Sequence, residues 1–209
     1  DVYAEIFASS EKTGSGKDGY LREMASAFNS SGQEIDGTKV SIRLRTVSSG
    51  QQVDYVSSGK YVPDAVSPSN DLFIKMIEEN GVDVSYIDDS MVENYAGIVM
   101  TKKVYNNIKE QYGEVSVQTI AQAVADDFIT MGYTNPFTSA AGMNFLVTLL
   151  DSYDNGNILS EKAVNGFTAF QKNIPFVSMT TGQMRTAAER GTFDAFVSEY
   201  QTYLSDAKW

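Results

Sequence analysis

The sequence predicts an α/β protein built from two lobes. Short apolar runs rich in β-branched residues alternate with patterns of helical spacing along the chain, which is typical of a sheet covered by helices. Each apolar run ends in small polar residues, and the alternation starts again after residue 101. We therefore expect lobe one at residues 1–95, a hinge or crossover strand at 96–101, lobe two at 102–198 and a returning segment at 199–209.

Lobe one contains predicted strands that are each followed by a helical pattern. Val40, Ile42 and Leu44 alternate with polar residues, so they share one face of a strand. In an α/β sheet the ligand crevice lies outside the carboxyl ends of the strands, which is where the small polar turns fall. The predicted strands are residues 2–8, 39–45 and 63–66, and helical spacing follows near residues 20–28 and 72–77.

Lobe two repeats the same alternation of strand, turn and helix. We expect residues 96–101 to cross between the lobes. We expect residues 193–199 to run beside this crossing segment or to head back toward it. The further predicted strands are residues 128–133, 176–179 and 193–198, and the predicted helices are residues 115–124, 140–150, 161–171 and 181–189.

Composition and charge exclude several classes of function. The 209 residues carry 16 Lys and Arg against 27 Asp and Glu, a formal net charge of −11, which argues against nucleic acid or an anionic membrane as the partner. The chain has no His and no Cys, so His-dependent nucleophile pairs, His/Cys zinc sites and disulfides are excluded. We expect no metal and no cofactor. We also expect no direct membrane span, because no apolar run approaches the roughly 20 residues that a span needs.

A phosphate-binding loop is suggested by Thr13-Gly14-Ser15-Gly16-Lys17 but does not fit the required pattern. Glu11 stands where the first Gly of that pattern belongs, and Asp18 stands where a Ser or Thr should meet magnesium. We interpret this segment as a flexible surface loop, within the polar, Gly-rich run at residues 11–19 that follows the first predicted strand.

Small polar residues between strands and helices form the most informative pattern. Each alone predicts a helix cap, whereas several helix starts that converge could bind an oxyanion through backbone amides and hydroxyls. We expect Ser10, Ser49, Ser67 and Ser139 to line one cleft. The full set of candidate ligand-binding residues of this kind is Ser9, Ser10, Ser48, Ser49, Ser67, Ser69, Thr138 and Ser139.

The order of several segments resembles bacterial extracellular solute-binding proteins of the type II periplasmic-binding fold. The likeness covers nearly the whole chain, and the order of the segments carries it rather than any single motif. The segments are Phe7-Ala8-Ser9-Ser10, Thr46-Val47-Ser48-Ser49-Gly50, Pro63-Asp64-Ala65-Val66-Ser67-Pro68-Ser69, Ala96-Gly97-Ile98-Val99-Met100 and Thr134-Asn135-Pro136-Phe137-Thr138-Ser139-Ala140-Ala141-Gly142.

This resemblance implies a receptor of an ABC transporter, or a related surface lipoprotein, that holds its ligand between the lobes. It implies an extracellular, cell-surface or periplasmic location and the transporter's membrane subunits as partners. It also implies that Glu199 and Tyr200 face the ligand. In the family the chain normally returns to complete lobe one, so we expect lobe one to be incomplete at the C-terminus, Trp209 to be poorly packed, or the chain to be a fragment.

The predicted function is a non-catalytic receptor for a small polar ligand. The serine and threonine turns slightly favour an oxyanion, whereas Glu199 would suit an amine, a metal or a sugar hydroxyl. One alternative is a lyase or transferase that uses Glu199, Asp64 or a Tyr as the acid-base group. Another is a surface domain that binds protein.

Overall fold

The computed structural model describes residues 2–14 and 19–205. The chain divides into two compact units, unit 1 at Asp1–Val92 and unit 2 at Glu93–Trp209. Within the described residues each unit contains a four-stranded sheet with helices between its strands. The α/β prediction is therefore confirmed for both halves of the chain.

The sheet of unit 1 is formed by β1 (Val2–Ala8), β2 (Glu34–Ile35), β3 (Thr38–Thr46) and β4 (Ala65–Ser67). The strand order is β2-β3-β1-β4, with β1 parallel to β3 and to β4 and with β2 antiparallel to β3. The register pairs Ala8 with both Thr46 and Ser67. The strands β1, β3 and β4 therefore end at the same level of the sheet.

The helices of unit 1 are α1 (Ser10–Thr13), α2 (Tyr20–Ser31), α3 (Ser49–Ser57) and α4 (Asp71–Glu79). Helix α1 corrects the prediction of a flexible surface loop after Ser10. Thr13 is fully buried, and its hydroxyl hydrogen-bonds the hydroxyl of Thr46 at 2.8 Å. A Cβ on Gly19 would lie 2.1 Å from the Thr13 carbonyl carbon, so α2 starts in close contact with the end of α1. Residues 15–18 of the rejected phosphate-loop motif lie outside the described residues.

The sheet of unit 2 is formed by β5 (Ala96–Met100), β6 (Met131–Thr134), β7 (Phe176–Ser178) and β8 (Ala195–Glu199). Its order is β5-β8-β6-β7, with β8 antiparallel to β5 and parallel to β6. The expectation that the last strand runs beside the strand at residues 96–100 is confirmed by this pairing. The strands β3 and β6 belong to separate sheets, as the two-lobe prediction requires.

The helices of unit 2 are α5 (Lys102–Tyr112), α6 (Val117–Ala125), α7 (Ala140–Tyr153), α8 (Glu161–Lys172), α9 (Thr181–Glu189) and α10 (Tyr200–Ser205). The core cluster of the unit lies between its sheet and helices α5 to α8. Tyr133 is buried against the rings of Phe145 and Phe170, at centroid distances of 5.3 and 6.1 Å. Burial raises the pKa of Tyr133 to about 12, and its hydroxyl donates to Gln171. This aromatic core fixes β6 against α7 and α8.

Two further expectations concern a membrane span and the packing of Trp209. None of the helices within residues 2–14 and 19–205 has the length and apolar character needed to cross a membrane. The expectation for Trp209 falls outside the described residues.

Replacing Gly142 with Ala should destabilise the protein. Gly142 lies in the first turn of α7, and a Cβ there would lie 2.0 Å from the carbonyl oxygen of Thr134. Helix and strand would have to separate, and overpacking of this kind costs about 1–3 kcal/mol. Urea denaturation measures the loss in the free energy of unfolding. The control Gly182→Ala in α9, where the nearest heavy atom would lie 3.9 Å from the new Cβ, should be neutral or stabilising. Equal stability of the two variants would contradict the close approach of α7 to β6.

Candidate ligand-binding site

The level strand ends of unit 1 bring together serines that are far apart in sequence. Ser9 follows β1, Ser49 begins α3 after β3, and Ser69 follows β4. The Ser9 and Ser69 hydroxyl oxygens lie 2.5 Å apart, and the Ser69 N–H donates to the Ser49 hydroxyl at 3.2 Å. Ser9, Ser49 and Ser69 therefore form one group, which we name the serine cluster.

The carboxylate of Glu11 lies within the serine cluster. Its Oε1 atom accepts hydrogen bonds from the hydroxyls of both Ser9 and Ser69. Ser9 is 5% exposed and Ser49 is 2% exposed, so two members of the cluster are shielded from water. One buried hydroxyl, of Ser9, and one half-buried hydroxyl, of Ser69, are thus already arranged around one negatively charged oxygen.

Lys12 connects α1 to the turn after β4. Its ammonium donates to the carbonyl oxygen and the hydroxyl of Ser67 at 2.9 and 2.8 Å, and to the carbonyl oxygen of Pro68 at 2.8 Å. Burial lowers the pKa of Lys12 below its ordinary value of 10.5, and the charge of Glu11 opposes this shift in part. Because an ammonium has three N–H donors, the turn that carries Ser69 occupies all of them, and the positive charge stays beside the cluster.

The other predicted residues of unit 1 lie at the margin of this cluster. The Ser48 hydroxyl donates to Gln51 Oε1 at 3.1 Å, and the Ser67 hydroxyl is held by Lys12. Ser10 is exposed on α1, and the hydrogen bonds of the cluster in the described part of unit 1 do not include it. Ser9, Ser49 and Ser69 of the predicted set thus lie together, and Ser10 lies outside the hydrogen bonds of the cluster. The ligand contacts of all these serines stay predictions.

The helices differ in whether a side chain caps their N-terminus. In the described part of the chain, the N-cap residues of α1, α3 and α7, which are Ser9, Ser48 and Ser139, make no side-chain cap hydrogen bond. The first residues of α3 and of α7 are nevertheless buried. First-turn amides normally need a partner. The helices capped by a side chain are α4, α5, α6, α8 and α9, through Asn70, Thr101, Ser116, Ser160 and Thr180.

The start of α7 in unit 2 lies at the carboxyl end of β6. The Thr138 hydroxyl donates to the Met179 carbonyl oxygen at 2.8 Å, so it ties the turn after β6 to the turn after β7. Ser139 is buried at 8% exposure. Thr134 Oγ1 is also buried, and it has no hydrogen-bond partner among the described residues. Thr138 thus has a structural contact, whereas Ser139 stands at a buried helix start without a side-chain cap.

Glu199 ends β8, and Tyr200 follows it at the same edge of the sheet. The pairing of Met131 with Ala195 and of Gly132 with Phe196 places the end of β8 level with the end of β6. Glu199 is buried, whereas Tyr200 is 53% exposed at the start of α10. Tyr200 belongs to an open cavity of about 410 Å³ within unit 2, lined by Glu93, Asn94, Tyr95, Tyr200, Gln201 and Leu204.

Sequence reasoning missed Glu11 and Lys12, the charged residues of the site. The available signal was their position directly after Ser9-Ser10, in a turn between a strand and a helix. The described residues 2–14 and 19–205 contain no group of three or more Asp or Glu placed to hold a metal ion.

The family of this chain follows from a comparison of its sequence with known families. The sequence pattern of a family described as "Bacterial extracellular solute-binding protein" matches residues 13–208. The chain belongs to this family. This confirms the resemblance inferred from the order of the segments. The description of the family places its members outside the cell. No curated protein matches the chain.

Solved structures show the same fold at low sequence identity. The sulfate-binding protein SubI from Mycobacterium tuberculosis matches with a TM-score of 0.64 and 14% identity, over 95% of this chain and 65% of that chain. Iron-bound HitA from Pseudomonas aeruginosa matches with a TM-score of 0.60 and 14% identity, over 98% of this chain and 65% of that chain. The solute-binding-protein fold is therefore confirmed, and the chain spans 65% of the length of each of these two proteins.

Replacing Lys12 with Met should lower the free energy of unfolding by about 1–3 kcal/mol, because the oxygens of Ser67 and Pro68 lose their donor. Urea denaturation measures the change. The control Lys109→Met, at an exposed position of α5, should change stability by less than about 0.5 kcal/mol. If the two variants were equally stable, Lys12 would not hold the turn after β4.

Proposed function

We propose that the protein is the solute-binding receptor of an ABC-type uptake system and that it binds a small oxyanion at the serine cluster. It would act at the cell surface or in the periplasm and deliver the ligand to the membrane subunits of the transporter. Membership of the extracellular solute-binding family supports the receptor role. Sulfate, which the protein SubI binds according to its name, belongs to the proposed ligand class.

One observation carries the choice of an oxyanion. The first turn of α3 is buried beside the serine cluster, and its N-cap residue Ser48 makes no side-chain cap hydrogen bond within the described residues. Amides of a first turn and the positive end of a helix attract an anion. Hydroxyls of Ser9 and Ser69 add donors at the same strand ends. These groups can bind an oxyanion without a directly coordinating cation.

A binding role is proposed over a lyase or transferase. The groups that meet at the strand ends of unit 1 are hydroxyls, a carboxylate and an ammonium that is held by three oxygen atoms. The family is one of solute-binding proteins. Such an arrangement of donors can bind a charged oxygen atom of a ligand through hydrogen bonds alone, and no proton transfer is needed.

An amine is the second candidate ligand, and Glu11 is the observation that favours it. A carboxylate within a group of hydroxyls could accept hydrogen bonds from an ammonium group of a ligand. Under this alternative the Glu11 side chain would contact the ligand rather than the serines. The negative charge of Glu11 would attract an amine and repel an oxyanion.

Sulfate or molybdate should raise the melting temperature of the protein, because a ligand that binds the folded state stabilises it. Replacing Ser9 or Ser69 with Ala should weaken the binding measured by calorimetry by a few fold, because the ligand loses a donor. The loss is smaller than the roughly 1.5–3 kcal/mol of a hydrogen bond to a charged group, since the same hydroxyl also gives up its bond to Glu11 in the free protein. The control Ser31→Ala, at the end of α2 where the hydroxyl donates to the Phe28 carbonyl oxygen at 2.6 Å, should leave the affinity unchanged. Equal affinities in all three variants would exclude the serine cluster as the site.

The ligand contacts predicted for Ser139, Glu199 and Tyr200 stay predictions. Replacing Ser139 with Ala should weaken binding of the same oxyanion by a few fold, because a buried helix start would lose a polar neighbour. Ser152→Ala, near the other end of α7, is the matched control. If calorimetry gave one affinity for both variants, Ser139 would lie outside the site.

A further inference from the structure

We propose that Glu11 is a built-in competitor of the ligand. In this inference, which rests on the proposed function, the Glu11 carboxylate occupies the position of a ligand oxygen in the serine cluster. An oxyanion then binds by displacing that side chain.

The chemistry of the contacts supports this equivalence. A carboxylate oxygen and an oxygen of sulfate or molybdate are both charged acceptors that need O–H or N–H donors. Glu11 Oε1 accepts from the hydroxyls of Ser9 and Ser69, which stand at the carboxyl ends of β1 and β4. The donors proposed for the ligand are therefore the donors that Glu11 uses.

One oxygen of Glu11 uses both hydroxyl protons of the pair. Ser9 and Ser69 have one hydroxyl proton each, and both hydroxyls donate to Glu11 Oε1. A ligand with several oxygen atoms could accept from each hydroxyl with a different oxygen.

The charges around the cluster change when Glu11 leaves. With Glu11 in place its negative charge lies beside the positive charge of Lys12, an attraction that also opposes the lowered pKa of that lysine. Lys12 stays fixed, because its ammonium is bound to Ser67 and Pro68. Displacement of Glu11 therefore leaves a local positive charge that favours an anion.

The exchange needs no movement of the backbone. Glu11 is partly exposed in the first turn of α1, and a Glu side chain can reach water by rotation about its own bonds. The result is a lower affinity for every anion, because each one has to replace the two charge-assisted hydrogen bonds that Glu11 holds.

The test is titration calorimetry of wild type, Glu11→Gln and Glu11→Ala with sulfate, with molybdate and with the diamine putrescine. Glu23→Gln, at an exposed position of α2, makes the same change in net charge away from the cluster. We expect both Glu11 variants to bind one of the oxyanions about tenfold or more tighter than wild type, and Glu23→Gln to match wild type. Thermal unfolding of each variant confirms that it is folded.

The other outcomes are distinct. If wild type and the Glu11 variants bound an oxyanion equally, the competitor role would be wrong and the proposed receptor for an oxyanion would stand. If wild type bound putrescine and the Glu11 variants lost it, both the competitor role and the oxyanion would be replaced by an amine ligand. If no variant bound any of the three probes, the competitor role and the proposed ligand class would both be overturned.

Discussion

The parallel register of β1 with β3 and β4 is the constraint on which the site of unit 1 depends. Ala8 is paired with both Thr46 and Ser67, so the chain leaves the sheet at one level in three places. Parallel neighbours are hydrogen-bonded along their whole shared length, which fixes these exits without any contribution from the turns. The serines that follow the strands are brought together by the sheet, and a shift of one strand would separate them.

Lys12 converts this alignment into a defined site. Its bonds to Ser67 and Pro68 hold the turn that carries Ser69, while Glu11 from the same helix binds Ser69 and Ser9. Lys12 and Glu11, which are neighbours of opposite charge, thus have different roles. The ammonium fixes the surroundings, and the carboxylate fills the position where we place the ligand.

The sequence predicted the parts of the fold that follow from local periodicity. Val40, Ile42 and Leu44 alternate along β3, and the polar turns after the strands were recognisable as helix starts. Helix α1 has four residues in the described chain, too few to show a helical period, so it was interpreted as a loop. The bonds of Lys12 to Ser67 and of Glu11 to Ser69 join residues 55 and 58 positions apart, and no local pattern predicts such pairs. The two-residue strand β2 was missed for the same reason as α1.

A crystal structure of the full chain grown with selenate would test the central claim most directly, because the anomalous signal of selenium locates the anion independently of the protein. The account predicts a selenium peak within hydrogen-bond distance of the Ser9 and Ser69 hydroxyls, with the Glu11 carboxylate turned toward solvent and Lys12 still bound to Ser67. A structure at saturating selenate in which Glu11 still accepts from both hydroxyls, with the selenium elsewhere or absent, would contradict it.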